Sequence, residues 1–249
     1  MATYDDILRS LPGEVRAQYM ESSKRMTPTN LRMQFGLQNP LAEEQRVPRT
    51  NASQSVHRLA EDAMQAWQDI HTAHWSSVAD QTADKRTAYL RSAQFAKKQL
   101  QRIEADHTAA LEGIEEKAKY LATVLGNARK PPNNYGEAMI DAEMRAMFRA
   151  EPNPDKAMAL ARAHPRAIAT APPAALGIGE ETHSQYVRQY LQQVEPDNLA
   201  DQDDLREALG QLQTATAALK KEANALIDFD AAARMEKFAG WIPPQRDAA

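Results

Sequence analysis

The sequence predicts an all-α fold. Three observations support this: prolines and glycines are sparse in two long windows, those windows carry apolar residues at helical spacing, and no segment alternates between apolar and polar residues as a strand does. No proline lies between Arg49 and Lys130 or between Asp197 and Ile242. Because proline costs about 3 kcal/mol inside a helix, such windows, rich in Ala, Leu, Gln, Glu and Lys, are typical of long helices.

Residues 1–54 are predicted to form an N-terminal arm. One or two amphipathic turns are expected between Tyr4 and Tyr19, and four prolines interrupt the segment. From Met26 to Thr50 it is too apolar for a flexible tail, so we expect an extended segment that packs on its own helices or on a neighbour. The side chains expected to make these contacts are Leu31, Phe35 and Leu37.

Residues 55–130 are predicted to form one long helix or a helix pair, broken near Ser76–Thr82. Apolar residues recur at steps of three and four, for example at Leu100, Ile103, His107, Leu111, Ile114, Ala118, Leu121 and Leu125. An unbroken helix of about 70 residues would be roughly 105 Å long. Its apolar stripe requires a partner that covers it.

Residues 131–196 are predicted to form a small subdomain of short helices. One helix is expected from Glu137 to Ala150, and Asn153-Pro154 is typical of an N-cap followed by proline at the first helical position. A third helix is expected after a capping box at Thr182–Gln185.

Residues 197–249 are predicted to form a C-terminal helix that ends at Gly240, followed by a tail that contains Trp241. Its stripe follows steps of four and three, the heptad period, with Thr216 and Ala223 filling two positions and leucines at Leu205, Leu209, Leu212, Leu219 and Leu226. Antiparallel pairing with the long helix would give a helical hairpin or coiled-coil-like bundle, and pairing between subunits is the alternative. These leucines and Trp241 are therefore predicted interaction residues.

Composition excludes several functional classes. The absence of cysteine excludes disulfides, Cys-ligated metals and thiol catalysis. A mean hydropathy of -0.64 argues against a membrane span, and the first 20 residues lack the apolar core of a secretory signal. A net charge of -4 disfavours broad nucleic-acid binding, although the basic groups at Lys97, Lys98 and Arg102 leave a local contact open.

Two Glu-x-x-His elements are the best metal candidates. Glu104 with His107, and Glu180 with His183, each place a carboxylate and an imidazole on one helix face, the spacing found in di-metal helical bundles. His71 and His74 offer a second possibility, with Asp69 or Asp80 as a third zinc ligand. Packing and capping roles explain these residues more simply, so no metal and no cofactor is expected.

No catalytic motif is present. The sequence contains neither Gly-x-Ser-x-Gly nor a phosphate-binding Gly-x-x-x-x-Gly-Lys-Ser/Thr pattern. We therefore predict no catalytic residues and a protein that is not an enzyme. A scarcity of glycine, with 9 in 249 residues, favours a scaffold over loops that build an active site.

The chain resembles helical virion-associated or assembly proteins of tailed bacteriophages. The likeness rests on Glu143–Arg149, Ala167–Leu176 and the heptads from Leu205. It implies a structural or assembly protein that contacts other subunits, in a homo-oligomer or with virion proteins, as a capsid-associated, head–tail or ejected internal component located in the virion or host cytoplasm. A di-metal oxidoreductase, and a regulator that binds a host protein or nucleic acid, are the alternative hypotheses.

Overall fold

The structure is a computed structural model, and it describes Ile7, Arg9, Leu11, residues 13–37, residues 48–80, Thr82 and residues 84–239. These residues form helices and contain no strand, which confirms the predicted all-α fold. Within this part of the chain, no helix is long and apolar enough to cross a membrane.

The described residues form eleven helices. They are α1 (Gly13–Lys24), α2 (Pro28–Gln34), α3 (Asn51–Ala79), α4 (Lys85–Ala128), α5 (Tyr135–Ala150), α6 (Pro154–Ala163), α7 (Pro165–Ala169), α8 (Pro173–Leu176), α9 (Glu180–Val194), α10 (Pro196–Leu226) and α11 (Phe229–Ala239).

The chain divides into two compact units. Unit 1 contains residues 1–113 and 206–249, and unit 2 contains residues 114–205. Both boundaries fall inside a helix, one in α4 and the other in α10. The short helices that the sequence predicts between residues 131 and 196 all belong to unit 2.

In unit 1, α4 and α10 pack in antiparallel directions, as the sequence predicts for a helical hairpin. Glu104 on α4 forms an ion pair with Lys220 on α10 at 2.7 Å. Nearer the start of α4, the Tyr89 hydroxyl donates to the carbonyl of Asp228, which lies beyond the end of α10, at 3.0 Å. Residues further along α4 therefore contact residues that come earlier in the C-terminal segment, which is the mark of antiparallel packing.

The predicted break in the first long window is confirmed. Helix α3 ends at Ala79 and α4 begins at Lys85. Asp84 caps α4, because its carboxylate accepts a hydrogen bond from the Thr87 backbone N–H at 3.0 Å. The window therefore holds a helix pair.

The single helix predicted up to Gly240 is wrong, because the C-terminal window contains two helices. Helix α10 ends at Leu226, and α11 begins at Phe229. The side chain of Asp228 accepts from the Ala231 N–H at 2.8 Å and so caps α11. The Tyr89 hydroxyl also accepts from the Asp228 N–H at 2.9 Å, so a tertiary contact holds the break open.

Part of the predicted extended arm is helical. Helix α2 occupies Pro28–Gln34, so the extended conformation predicted for this stretch is wrong. The Thr27 side chain accepts from the Asn30 N–H, and Pro28 takes the first helical position. Local capping therefore outweighs the irregular composition of the segment. Residues 38–47 lie outside the described part of the chain.

Helix α2 ends in a Schellman motif. The Leu37 N–H donates to the Arg32 carbonyl at 2.8 Å, and the Gly36 N–H donates to the Met33 carbonyl at 3.2 Å. Gly36 has a φ of 66°, in the left-handed region that favours glycine. This turn places Gly36 directly against Thr214 on α10.

Unit 2 is built from α5 to α9, together with the end of α4 and the start of α10. One core cluster combines Leu125 from α4, Leu199 from α10 and residues of α7 and α9. A second joins Phe148 of α5 to the segment that runs from α6 to α8. An ion pair between Lys117 and Asp201 at 3.7 Å links the two long helices within this unit.

The start of α9 differs from the prediction. The helix begins at Glu180, and Gly179 is its N-cap without a side-chain hydrogen bond, so the predicted capping box at Thr182–Gln185 is wrong. Thr182 lies within the first turn. The expected N-cap of α6 is confirmed, since the Asn153 side chain accepts from the Asp155 N–H at 2.9 Å.

The turn after α2 leads to a stability prediction. We expect Gly36→Ala to destabilise the protein by about 1–3 kcal/mol, because alanine is strained at this φ and its Cβ would lie 2.8 Å from Thr214 Cγ2. Gly113→Ala is the matched control, since that glycine is helical and its added Cβ meets no atom within 4 Å. It should stabilise the protein by about 0.5–1 kcal/mol. Urea unfolding measures both, and equal effects of the two changes would show that neither the φ of Gly36 nor its contact with Thr214 constrains the turn.

Candidate functional site

The predicted interaction residues lie mainly inside the chain. Leu31, Phe35 and Leu37 are buried. On α10, the predicted leucines that are buried are Leu205, Leu212 and Leu219. The other two, Leu209 and Leu226, are half-buried. Trp241 lies outside the described residues. These leucines therefore pack against the chain's own helices, and their contact with another molecule stays a prediction.

The candidate metal ligands do not form a recognisable ligand set. Glu104 is exposed and paired with Lys220, while His107 in the same unit has a buried Nε2 atom without a hydrogen-bond partner among the described residues. Glu180 and His183 belong to unit 2. Within the described part of the chain, no group of three His, Asp or Glu side chains could hold a metal ion. This leaves the di-metal hypothesis without support from the geometry.

His71 and His74 belong to an aromatic cluster between α1 and α3. The His71 ring stacks on Tyr19 with centroids 6.2 Å apart, and the ring of His74 meets Trp75 edge-on at 5.3 Å. Tyr19 in turn meets Trp75 edge-on at 5.3 Å. The two imidazoles therefore act as packing groups at a helix–helix contact, the simpler of the two roles that the sequence allows.

Burial lowers the pKa of both imidazoles to about 4, from an ordinary value of 6.5. For His71, the neighbouring His74 lowers the pKa further. Both rings are therefore neutral at pH 7. The Nδ1 atom of His74 and the Nε1 atom of Trp75 are buried and have no hydrogen-bond partner among the described residues.

His71 and Ser22 contact each other, but not in the arrangement that activates a nucleophile. The Ser22 hydroxyl donates to the Tyr19 carbonyl at 2.9 Å, so its proton is already engaged. The 3.1 Å contact between Ser22 Oγ and His71 Nε2 must then have the imidazole as donor. A general base would need to accept from the serine instead, so the pair anchors α1 to α3.

Unit 2 exposes a different kind of feature, which we call the α5 surface. It consists of Tyr135, Met139, Ile140 and Met147, whose exposed fractions are 80%, 48%, 51% and 51%. Tyr135, Met139 and Met147 share one side of the helix because they are spaced by multiples of four residues, and Ile140 lies beside them. Glu143 lies between the two methionines and is exposed.

The opposite face of α5 is fixed by charge and packing. Arg166 on α7 contacts both oxygens of Asp141, from Nε at 3.2 Å and from Nη2 at 3.3 Å, and contacts Glu137 at 2.6 Å. Asp141 is only 4% exposed. Arg145 donates to the Ala167 carbonyl at 2.8 Å. The bidentate contact fixes geometry as well as charge, so α5 has little freedom to turn its apolar surface inward.

The sequence predicts a helix from Glu137 to Ala150, and the methionines at positions 139 and 147 count among its apolar members, but it does not identify Tyr135 and Ile140 as surface residues. A signal was available, because apolar residues occur on both sides of α5. Phe148 packs in the core, while Met139 and Met147 do not. A helix that is apolar on two faces requires two partners. The sequence does not say which face the chain covers itself.

The chain and this arrangement were compared with known proteins. No known family model, no curated protein and no solved structure matches the chain.

The buried imidazoles lead to a prediction for acid stability. In the unfolded chain they take up protons below about pH 6.5, whereas in the folded protein they do so only near pH 4. Between these values the unfolded state binds more protons, so the free energy of unfolding falls as the pH falls. From pH 7 to pH 5, we expect each imidazole to contribute a loss of about 2 kcal/mol.

Urea unfolding of His74→Phe at both pH values measures one of these contributions. The variant should lose about 2 kcal/mol less than the wild type between pH 7 and pH 5. His164→Gln is the control, because that ring is exposed on the surface of unit 2 and should leave the acid loss unchanged. An identical acid loss in His74→Phe and the wild type would show that His74 is not the source.

Proposed function

We propose that this chain is a non-enzymatic helical protein that acts through contacts with other protein molecules. The observation that carries the proposal is the α5 surface, where four large apolar side chains are exposed on one helix. Grouped apolar side chains on a protein surface mark sites of protein contact. Complete burial of such a side chain contributes about 1.5–3 kcal/mol. Covering four that are already partly buried would therefore contribute several kcal/mol to association.

The partner's chemistry follows from Glu143. This carboxylate lies between Met139 and Met147 and makes no ion pair with any described residue. A partner that covers the α5 surface must meet that charge, because an unpaired buried charge is costly. An apolar helix or strand that carries one lysine or arginine satisfies both requirements.

A narrower role as a bacteriophage virion component rests on the resemblance of the sequence. Tyr135, Met139 and Ile140 directly precede Glu143–Arg149, one of the segments that carry this resemblance, and Met147 lies within it. A virion protein meets its neighbours in a fixed assembly, so a rigidly held apolar surface suits that role. The α5 surface is rigidly held through Asp141 and Arg166. A regulator that binds a host protein would use the same surface on a different partner.

Photo-crosslinking tests the proposal. We expect a photoreactive phenylalanine analogue at position 139 to form adducts with protein partners in cells that produce the natural assembly, because this position lies within the contact. The same analogue at Glu116, exposed on α4 in unit 2, is the matched control and should form few adducts. Mass spectrometry identifies the partner. Virion proteins as partners would support the narrower role, and a host enzyme would favour the regulator.

A second variant separates contact from folding. Met139→Glu with Met147→Glu should abolish the adduct formed at position 140 and weaken association on the order of 100-fold, because charges replace the central apolar groups. Circular dichroism should remain unchanged, since glutamate is a good helix former at exposed positions. Equal adduct yields at positions 139 and 116 would overturn the proposal.

A further inference from the structure

Unit 1 contains a cavity that is independent of the α5 surface, which lies in unit 2, and of the function proposed from that surface. The cavity has a volume of about 310 Å³ and opens between α1, α3 and α10. This volume lies at the small end of the range for ligand pockets, roughly 300–1,000 Å³. The size alone restricts a ligand to a small molecule.

The apolar part of the cavity wall is provided by Trp67 on α3, by Ala225 and Leu226 on α10, and by Met26. Trp67 is almost completely buried, and its ring meets that of His71 edge-on at 5.6 Å. The indole position is therefore fixed by packing. A fixed indole ring offers an apolar surface against which an apolar group can pack.

Among the described residues, the cavity wall carries two carboxylates and one guanidinium, so its negative charges outnumber its positive charge. Glu21 and Arg25 both line the cavity and form an exposed ion pair at 3.9 Å, so their charges largely offset each other. Glu222 on α10 also lines it, is half-buried, and makes no ion pair or hydrogen bond with a described residue. One carboxylate therefore remains without a counter-charge.

The remaining titratable group in the cavity wall does not supply that counter-charge at neutral pH. His71 lines the cavity, and burial lowers its pKa to about 4. Its Nε2 atom is already engaged with Ser22. The cavity therefore combines a neutral imidazole, a fixed indole ring and one uncompensated carboxylate.

We propose that this cavity binds a small organic ammonium ion. The charged nitrogen would meet the Glu222 carboxylate, and the apolar body would lie against Trp67 and Leu226. Such a ligand removes the cost of a half-buried unpaired charge and buries its apolar body against the indole ring. An anion would be repelled by Glu222. A bound metal ion would need more ligands than the described residues bring together.

Calorimetric titration with benzylamine, which is positively charged at pH 7, tests this proposal, and benzyl alcohol is the neutral comparison of the same shape. We expect benzylamine to bind at least about tenfold more tightly than benzyl alcohol. Glu222→Gln should weaken benzylamine binding about tenfold and leave that of benzyl alcohol unchanged. Glu112→Gln, at an exposed position of α4 in unit 1, is the matched control and should alter neither.

Ala225→Phe provides a second variant that does not remove a charge. Ala225 lines the cavity and is exposed at its rim, so phenylalanine can fill the cavity without entering the core. It should abolish binding of both compounds while helicity is retained. The absence of benzylamine binding to the wild type, equal binding of the two compounds, or unchanged binding in Glu222→Gln would each overturn the proposal. None of these outcomes depends on the contacts of the α5 surface.

Discussion

Unit 1 depends on the burial of one side of α10. Leu212, Ala215, Leu219 and Ala223 along this helix are almost completely buried. Three separate elements contact it: His57 of α3 contacts Gln211 at 3.2 Å, Glu104 of α4 pairs with Lys220, and Gly36 lies against Thr214. An apolar stripe on a long helix cannot remain in water. The other helices of the unit are therefore arranged around α10.

Small residues make this arrangement possible. Alanine at positions 215 and 223 allows neighbouring backbones to approach closely, and glycine at position 36 does the same for the turn after α2. The chain contains few glycines, and one of them, Gly36, lies at this close contact. Gly36 and Gly177 are the described glycines with a positive φ. Gly36 in particular serves a turn and a close contact at the same time.

In unit 2, polar contacts between short helices hold α5 in place. The buried carboxylate of Asp141 is acceptable only because Arg166 meets both of its oxygens. This contact orients α5, and the orientation decides which apolar residues face water. The α5 surface is thus a consequence of the ion pair between the buried Asp141 and the partly exposed Arg166 on the other side of the same helix.

The sequence by itself determined the all-α class, which follows from proline placement, apolar spacing and the lack of an alternating pattern, all local properties of the chain. The sequence left open whether residues 55–130 form one helix or a pair, and whether the C-terminal helix pairs within the chain or between subunits; the structure shows a pair and antiparallel packing within the chain. The tertiary structure showed that the C-terminal window breaks at Asp228, where the local cap of α11 by the Asp228 side chain is joined by contacts from the Tyr89 hydroxyl of α4. It alone also decided that Leu31, Phe35 and Leu37 are buried, while Met139 and Met147 are exposed. Apolar character predicts that a side chain needs cover, but the cover itself is supplied by residues distant in sequence.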